Sequence, residues 1–95
     1  MLTPTPSPGV IFKALPDGAV LFSAANEVYF GLNAVAARVW EHLTAGVDTE
    51  DELCARIVAD FPDASPGEVQ QDVRELLAHL TEYELVAPRI AEAAR

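Results

Sequence analysis

The sequence predicts an α+β domain, a three-stranded antiparallel sheet followed by three helices. Two observations carry that prediction. Residues 1–47 are nearly uncharged, with Lys13 and Arg38 against Asp17, Glu27 and Glu41, and are rich in apolar and β-branched residues. Residues 48–95 hold four arginines against twelve acids, and their apolar residues recur at helical spacing. Strand-like and helix-like segments therefore come in blocks rather than alternating, which is the pattern of an α+β layout.

Each element has a local reason. Residues 1–9 carry Pro4, Pro6 and Pro8, which cannot donate to a ladder or continue a helix, so an extended, mobile lead-in is expected. Val10–Leu15 reads as a first strand. Pro16-Asp17-Gly18 is a turn signal, Pro presetting φ and Gly supplying a positive φ. Ala19–Ser23 is a second strand, and Ala24-Ala25-Asn26 a short connector. Glu27–Leu32 is a third, with Val28, Phe30 and Leu32 on one face and Tyr29 and Gly31 on the other. Connections this short favour an antiparallel meander.

Asn33 is a good N-cap for Ala34–Leu43, whose Val35, Val39, Trp40 and Leu43 share a face. Gly46 ends that segment. Thr49 and Glu52 stand at capping-box spacing before Leu53, Cys54, Ile57, Val58 and Phe61, and Pro62 stops the helix. Ser65 and Glu68 repeat the box, with Pro66 at the first helical position. Val69, Val73, Leu76, Leu77 and Leu80 form the third stripe, in a helix expected to run to about Tyr83. Leu85 and Val86 are expected to tuck back onto the core, and residues 87–95 to trail as a loose tail. The domain is thus expected over 10–86. A small antiparallel sheet with three helices is the content of a winged helix-turn-helix domain, with the wing strands placed first.

Whole-chain quantities narrow the function. Ninety-five residues bound the chain to one domain, and 51% hydrophobic residues are enough for a core. A net charge of −9, with six scattered basic residues, argues against a nucleic-acid partner. The longest apolar runs fall far short of the roughly 20 residues that span a bilayer. The start, MLTPTPSPG, lacks the basic and apolar regions of a signal peptide, so a cytoplasmic protein is expected. The lone Cys54 excludes an intrachain disulfide.

Chemistry-bearing residues are few. Cys54 shares its helical register with Leu53, Ile57 and Phe61 and reads as a buried structural thiol; no adjacent base would activate it. His42 and His79 fall on different helices, without the further ligands a metal site requires. Glu75 and His79 read as a surface i,i+4 pair. Asp48, Glu50, Asp51 and Glu52 crowd a helix start, where the macrodipole favours negative charge. Gly31 and Gly46 stand alone and form no phosphate loop. No enzyme, cofactor or metal site is expected, and Trp40 reads as a core anchor.

The third strand is the most informative segment. Val28-Tyr29-Phe30-Gly31-Leu32 is apolar and uncharged, and only Glu27 at its start could blunt it as an edge. Either it lies covered within the fold, or it is an edge that takes up a peptide as an added strand.

Three segments in order add a resemblance. Tyr29-Phe30-Gly31-Leu32-Asn33 runs into Ala36-Ala37-Arg38-Val39-Trp40. Gly46 and the capped helix Thr49–Phe61 follow, and then Asp72-Val73, Leu76-Leu77, Leu80 and Leu85-Val86. Over residues 10–86 this resembles the PqqD-like family, the recognition elements for precursors of ribosomally made, modified peptides. The Tyr-x-Gly-Leu-Asn and Ala-Arg-Val-Trp stretches look most like the discrete recognition proteins of lasso-peptide clusters. Relatives in quinone-cofactor biosynthesis carry a more polar sequence before the Leu-Asn pair. The resemblance implies a non-catalytic protein that binds the precursor's leader as a strand added to the third strand. It implies delivery to a leader peptidase and an ATP-dependent macrocyclase. Carried over by position, the groove would use Val28, Tyr29, Phe30, Gly31 and Leu32, with Val69, Val73, Leu76, Leu77 and Leu80 from the third helix. Some of these must serve the core. The competing readings are a chaperone of the same family for another peptide-modifying enzyme, and a winged-helix transcription regulator.

Overall fold

The computed structural model describes residues 2–88; of the tail expected over 87–95, Ala87 is strand-paired rather than loose, and residues 89–95 lie outside the description. Among the described residues the order is β1 (Thr5–Pro6), β2 (Val10–Leu15), β3 (Gly18–Ser23), β4 (Val28–Asn33), α1 (Ala34–Thr44), α2 (Glu50–Asp60), α3 (Pro66–Glu82) and β5 (Val86–Ala87). Three antiparallel strands followed by three helices is the expected α+β architecture.

The main sheet has the order β2-β3-β4, so β4 is an edge. Leu15 pairs with Gly18 across a two-residue turn, and β3 pairs with β4 from Gly18↔Asn33 to Ser23↔Val28 without a break. A pair closing a two-residue turn exchanges both its hydrogen bonds, and bonded and non-bonded pairs then alternate. Ala19, Leu21 and Ser23 therefore direct their backbone polar groups toward β4, bonding Leu32, Phe30 and Val28. The N–H and C=O groups of Tyr29 and Gly31 point the other way, off the free edge.

Two turn details differ from expectation. Gly18 lies outside the left-handed region. Its glycine is needed because a Cβ there would collide with the Leu32 carbonyl oxygen across the sheet. Glu27 belongs to the turn before β4, with φ 54°, so it does not guard the strand.

The helices pack on one sheet face. Ala19, Leu21 and Leu32 of the sheet meet Val39, Trp40 and Leu43 of α1, Leu53 and Ile57 of α2, and Val69, Val73, Leu77 and Leu80 of α3 in one buried cluster. Trp40 is 4% exposed, a core anchor as its register requires. Leu85 and Val86 do tuck back into the core. The other sheet face is open, with Tyr29 75% and Ile11 57% exposed.

Caps set the helix starts. Asn33 Oδ1 accepts from Ala36 N at 2.8 Å, and Thr49 Oγ1 accepts from Glu52 N at 3.2 Å. Neither expected box is complete. The Glu52 carboxylate accepts from Arg56 at 2.8 Å instead, and Ser65 makes no side-chain cap bond. Proline at the start of α3 already removes one unsatisfied donor. Gly46, at φ 99°, takes the left-handed turn out of α1.

The proline-rich lead-in is extended but hydrogen-bonded rather than loose. Thr5 pairs with Ala87 and Pro6 with Val86 in a second, two-stranded sheet. Thr3 is fully buried, its hydroxyl donating to Val47 O at 2.8 Å. Ser7 N donates to Leu85 O at 2.9 Å.

Candidate functional site

A groove of about 360 Å³ opens between β4, the first half of α1 and α3. Strand alternation turns Phe30 toward it, while the open edge contributes Gly31 and Asn33. Val35, Ala36 and Val39 come from α1, and Asp72, Val73, Glu75, Leu76 and His79 from α3. Residues three and four apart on a helix share a face, so Asp72, Val73, Leu76 and His79 present one stripe to the strand. Phe30 extends the apolar wall by a ring contact with Tyr83, centroids 5.6 Å apart.

The ten residues implied by the resemblance divide cleanly. Phe30, Gly31, Val73 and Leu76 line the groove. Leu32, Val69, Leu77 and Leu80 are buried core residues that do not line it. Leu76 and Leu77 are adjacent, yet only Leu76 reaches the groove, because one helical step of 100° turns Leu77 into the core. Val28 and Tyr29 lie on β4 but outside the groove lining, with Tyr29 stacked on Phe22 across the outer face at 4.7 Å. Asn33, Val35, Ala36, Val39, Asp72, Glu75 and His79 were not expected there. The spacing of Asp72, Glu75 and His79 with Leu76 is the signal that would have found the helical members.

Side-chain charge distinguishes the two sheet edges. The outward N–H and C=O groups of Tyr29 and Gly31 have no backbone partner, and β4 carries no charge. At the far edge, β2 carries Lys13, a residue type that discourages further strand pairing. A second hollow of about 390 Å³ lies there, lined by Pro6, Val10, Phe12, Trp40, Glu41 and Thr44.

The remaining titratable groups serve structure. Asp60 Oδ2, at the end of α2, lies 2.8 Å from His42 Nε2 and 3.2 Å from Arg38, joining α2 to α1. The hydrogen bond to His42, then that to Arg38, holds the Asp60 carboxyl below the usual carboxylate range. Arg74 Nε lies 2.9 Å from Glu50 Oε1, tying α3 to α2. Cys54 is only partly buried; burial, then Glu50 and Asp51, pushes its thiol up, which disfavours the nucleophilic thiolate. Glu75 accepts from Gln71 at 3.3 Å rather than pairing with His79. Among the described residues no cluster of three or more His, Cys, Asp or Glu side chains could hold a metal ion, and no helix is long and apolar enough to cross a membrane.

An open strand edge beside an apolar groove is the geometry that binds an extended peptide. Comparison with known proteins points the same way. A family model described as coenzyme PQQ synthesis protein D (PqqD) matches residues 18–86. A solved structure, TbiB1 in complex with the TbiA(beta) leader peptide, is similar over 96% of this chain and 99% of its own, with 28% identity and a TM-score of 0.76. A lasso peptide synthetase B1 complexed with the leader peptide shares the fold, at 19% identity and a TM-score of 0.73, over 87% of this chain and 95% of its own. No curated protein matches the sequence.

Proposed function

The chain belongs to the PqqD family, a family of non-catalytic peptide-recognition domains, and from that premise we propose that it binds the leader region of a ribosomally made precursor peptide. The leader adds as an antiparallel strand to β4, and its apolar side chains enter the groove against α3. The bound precursor is then delivered to lasso-peptide maturation enzymes, a leader peptidase and a macrocyclase. The observation that carries the binding step is the pair of outward-facing backbone groups at Tyr29 and Gly31, on an uncharged strand that opens onto an apolar groove. Main-chain bonds of this kind supply affinity, and pockets for alternate side chains supply specificity. The leader-binding reading draws support from the 28% identity, over nearly the whole chain, to TbiB1, which is solved with a leader peptide. An acidic α3, whose only cation is tied to Glu50, is unsuited to a duplex groove.

The test uses the leader of a precursor encoded beside this gene, labelled and followed by fluorescence polarisation. Leu76 is half-buried and lines the groove, so Leu76→Asp keeps the fold and weakens leader binding at least tenfold. Leu77 is 8% exposed and belongs to the core, so Leu77→Asp unfolds the domain. A folded Leu76→Asp protein that bound leader as well as the parent would place the site elsewhere.

A further inference from the structure

The groove is apolar on its inner wall and acidic along its lip. Val73 and Leu76 form the wall, and Asp72 and Glu75, each one position earlier on α3, form the lip. Some acids are used within the fold: Glu41, Glu50, Glu52 and Asp60 accept from arginines, and Glu50, Asp51 and Glu52 occupy the first turn of α2. Among the described residues no lysine or arginine pairs with the lip carboxylates. Asp72 makes no hydrogen bond or ion pair among the described residues, and Glu75 accepts only from the neutral Gln71. Nor does any lysine or arginine among the described residues stand free nearby to do so. Arg38, Arg56 and Arg74 are engaged with Glu41 and Asp60, Glu52, and Glu50, and Lys13 is on the opposite edge strand.

We propose that the groove selects a cationic leader segment, in which a Lys or Arg lays its aliphatic stem against Phe30 and Leu76 and sets its charged head between Asp72 and Glu75. This rests on the leader-binding reading above and adds the charge of the ligand to it. Lys and Arg are the side chains with an apolar stem and a charged tip, the same polarity as wall and lip. Three residues of helix advance about 4.5 Å, so a single head reaches both carboxylates. Inward side chains of an added strand recur every two residues, about 6.7 Å, so the basic residue stands two positions from an apolar anchor. An acidic residue at that position would meet two carboxylates on a chain that already carries a net charge of −9.

The experiment pans a displayed library of random peptides against the whole protein, in parallel with the Asp72→Asn/Glu75→Gln double variant and with Gly31→Pro. The parent is expected to enrich peptides carrying Lys or Arg two positions from an apolar residue, and the double variant to lose that enrichment while still selecting apolar peptides. A synthetic peptide of the selected sequence should bind the double variant roughly three- to twentyfold more weakly, and with less dependence on salt. Peptides enriched without Lys or Arg, or an enrichment that survives in the double variant, overturn the cationic inference; loss of the same peptides from Gly31→Pro then leaves the groove reading standing. Peptides that bind Gly31→Pro as well as the parent, or no enrichment by any protein, overturn both.

Discussion

Gly31→Pro isolates the backbone part of peptide recognition from the side-chain part. Gly31 stands opposite Val20 in a pair that exchanges no ladder bonds, so its N–H points off the sheet. Proline there removes no internal hydrogen bond, and an edge strand with its N–H side facing solvent is where sheets tolerate proline. The variant should therefore fold, with a Tm close to that of the parent. Its peptide-facing edge has lost one donor, and a carbonyl of the leader is left unpaired. Together these cost about 1–3 kcal/mol, or roughly five- to 150-fold in Kd. Gly31→Ala is the control. It keeps the N–H, and its added Cβ meets nothing within 4 Å, so its binding should stay within about threefold of the parent. Phe30→Pro is the contrast, because the Phe30 N–H is bonded to Leu21 and its loss breaks the ladder. The assay is fluorescence polarisation of labelled leader, with circular dichroism melts alongside. A folded Gly31→Pro protein that binds as tightly as Gly31→Ala would falsify strand addition at β4. A Gly31→Pro protein that fails to fold would refute the assignment of outward N–H groups.

Trp40→Ala should destabilise the domain by about 3–5 kcal/mol, since the ring is 4% exposed in a core with little to refill its volume; chemical denaturation measures this, and an unchanged midpoint would contradict the packing. The depressed Asp60 pKa contributes stability that is present above the unfolded value of about 3.9 and is lost as pH falls through the lower folded value. Asp60→Asn should accordingly flatten the decline of Tm below about pH 4, and an acid limb identical to that of the parent would show that the link between α1 and α2 carries no pH dependence.

Much of the fold was legible in the residues because it is local. Alternation of Val28, Phe30 and Leu32 identified a strand with one buried face, and Asn33 identified a helix start three residues from the N–H it accepts. The periodic stripes of the first two helices identified Trp40, Leu53 and Ile57 as inward-facing, and all three are buried. The resemblance added the strand and helix between which the groove opens. Such features depend on neighbours within about one turn or one strand pair, which the sequence displays directly.

What only the tertiary structure decided depends on contacts distant in the chain. The angle at which α3 lies across the sheet turns Leu76 to the groove and Leu77 to the core, and no periodicity separates two adjacent leucines in one stripe. The direction of each N–H in β4 follows from the two-residue turn at Pro16-Asp17, carried across two strands by an unbroken register. The pinning of Thr5 and Pro6 by Val86 and Ala87 joins opposite ends of the domain, beyond the reach of any local pattern. In sequence Glu75 reads only as half of a surface pair with His79, and Asp72 only as a position shared with the PqqD-like family. They become the lip of a groove only because folding brings β4 alongside α3, and because each arginine of the described chain is held by another carboxylate.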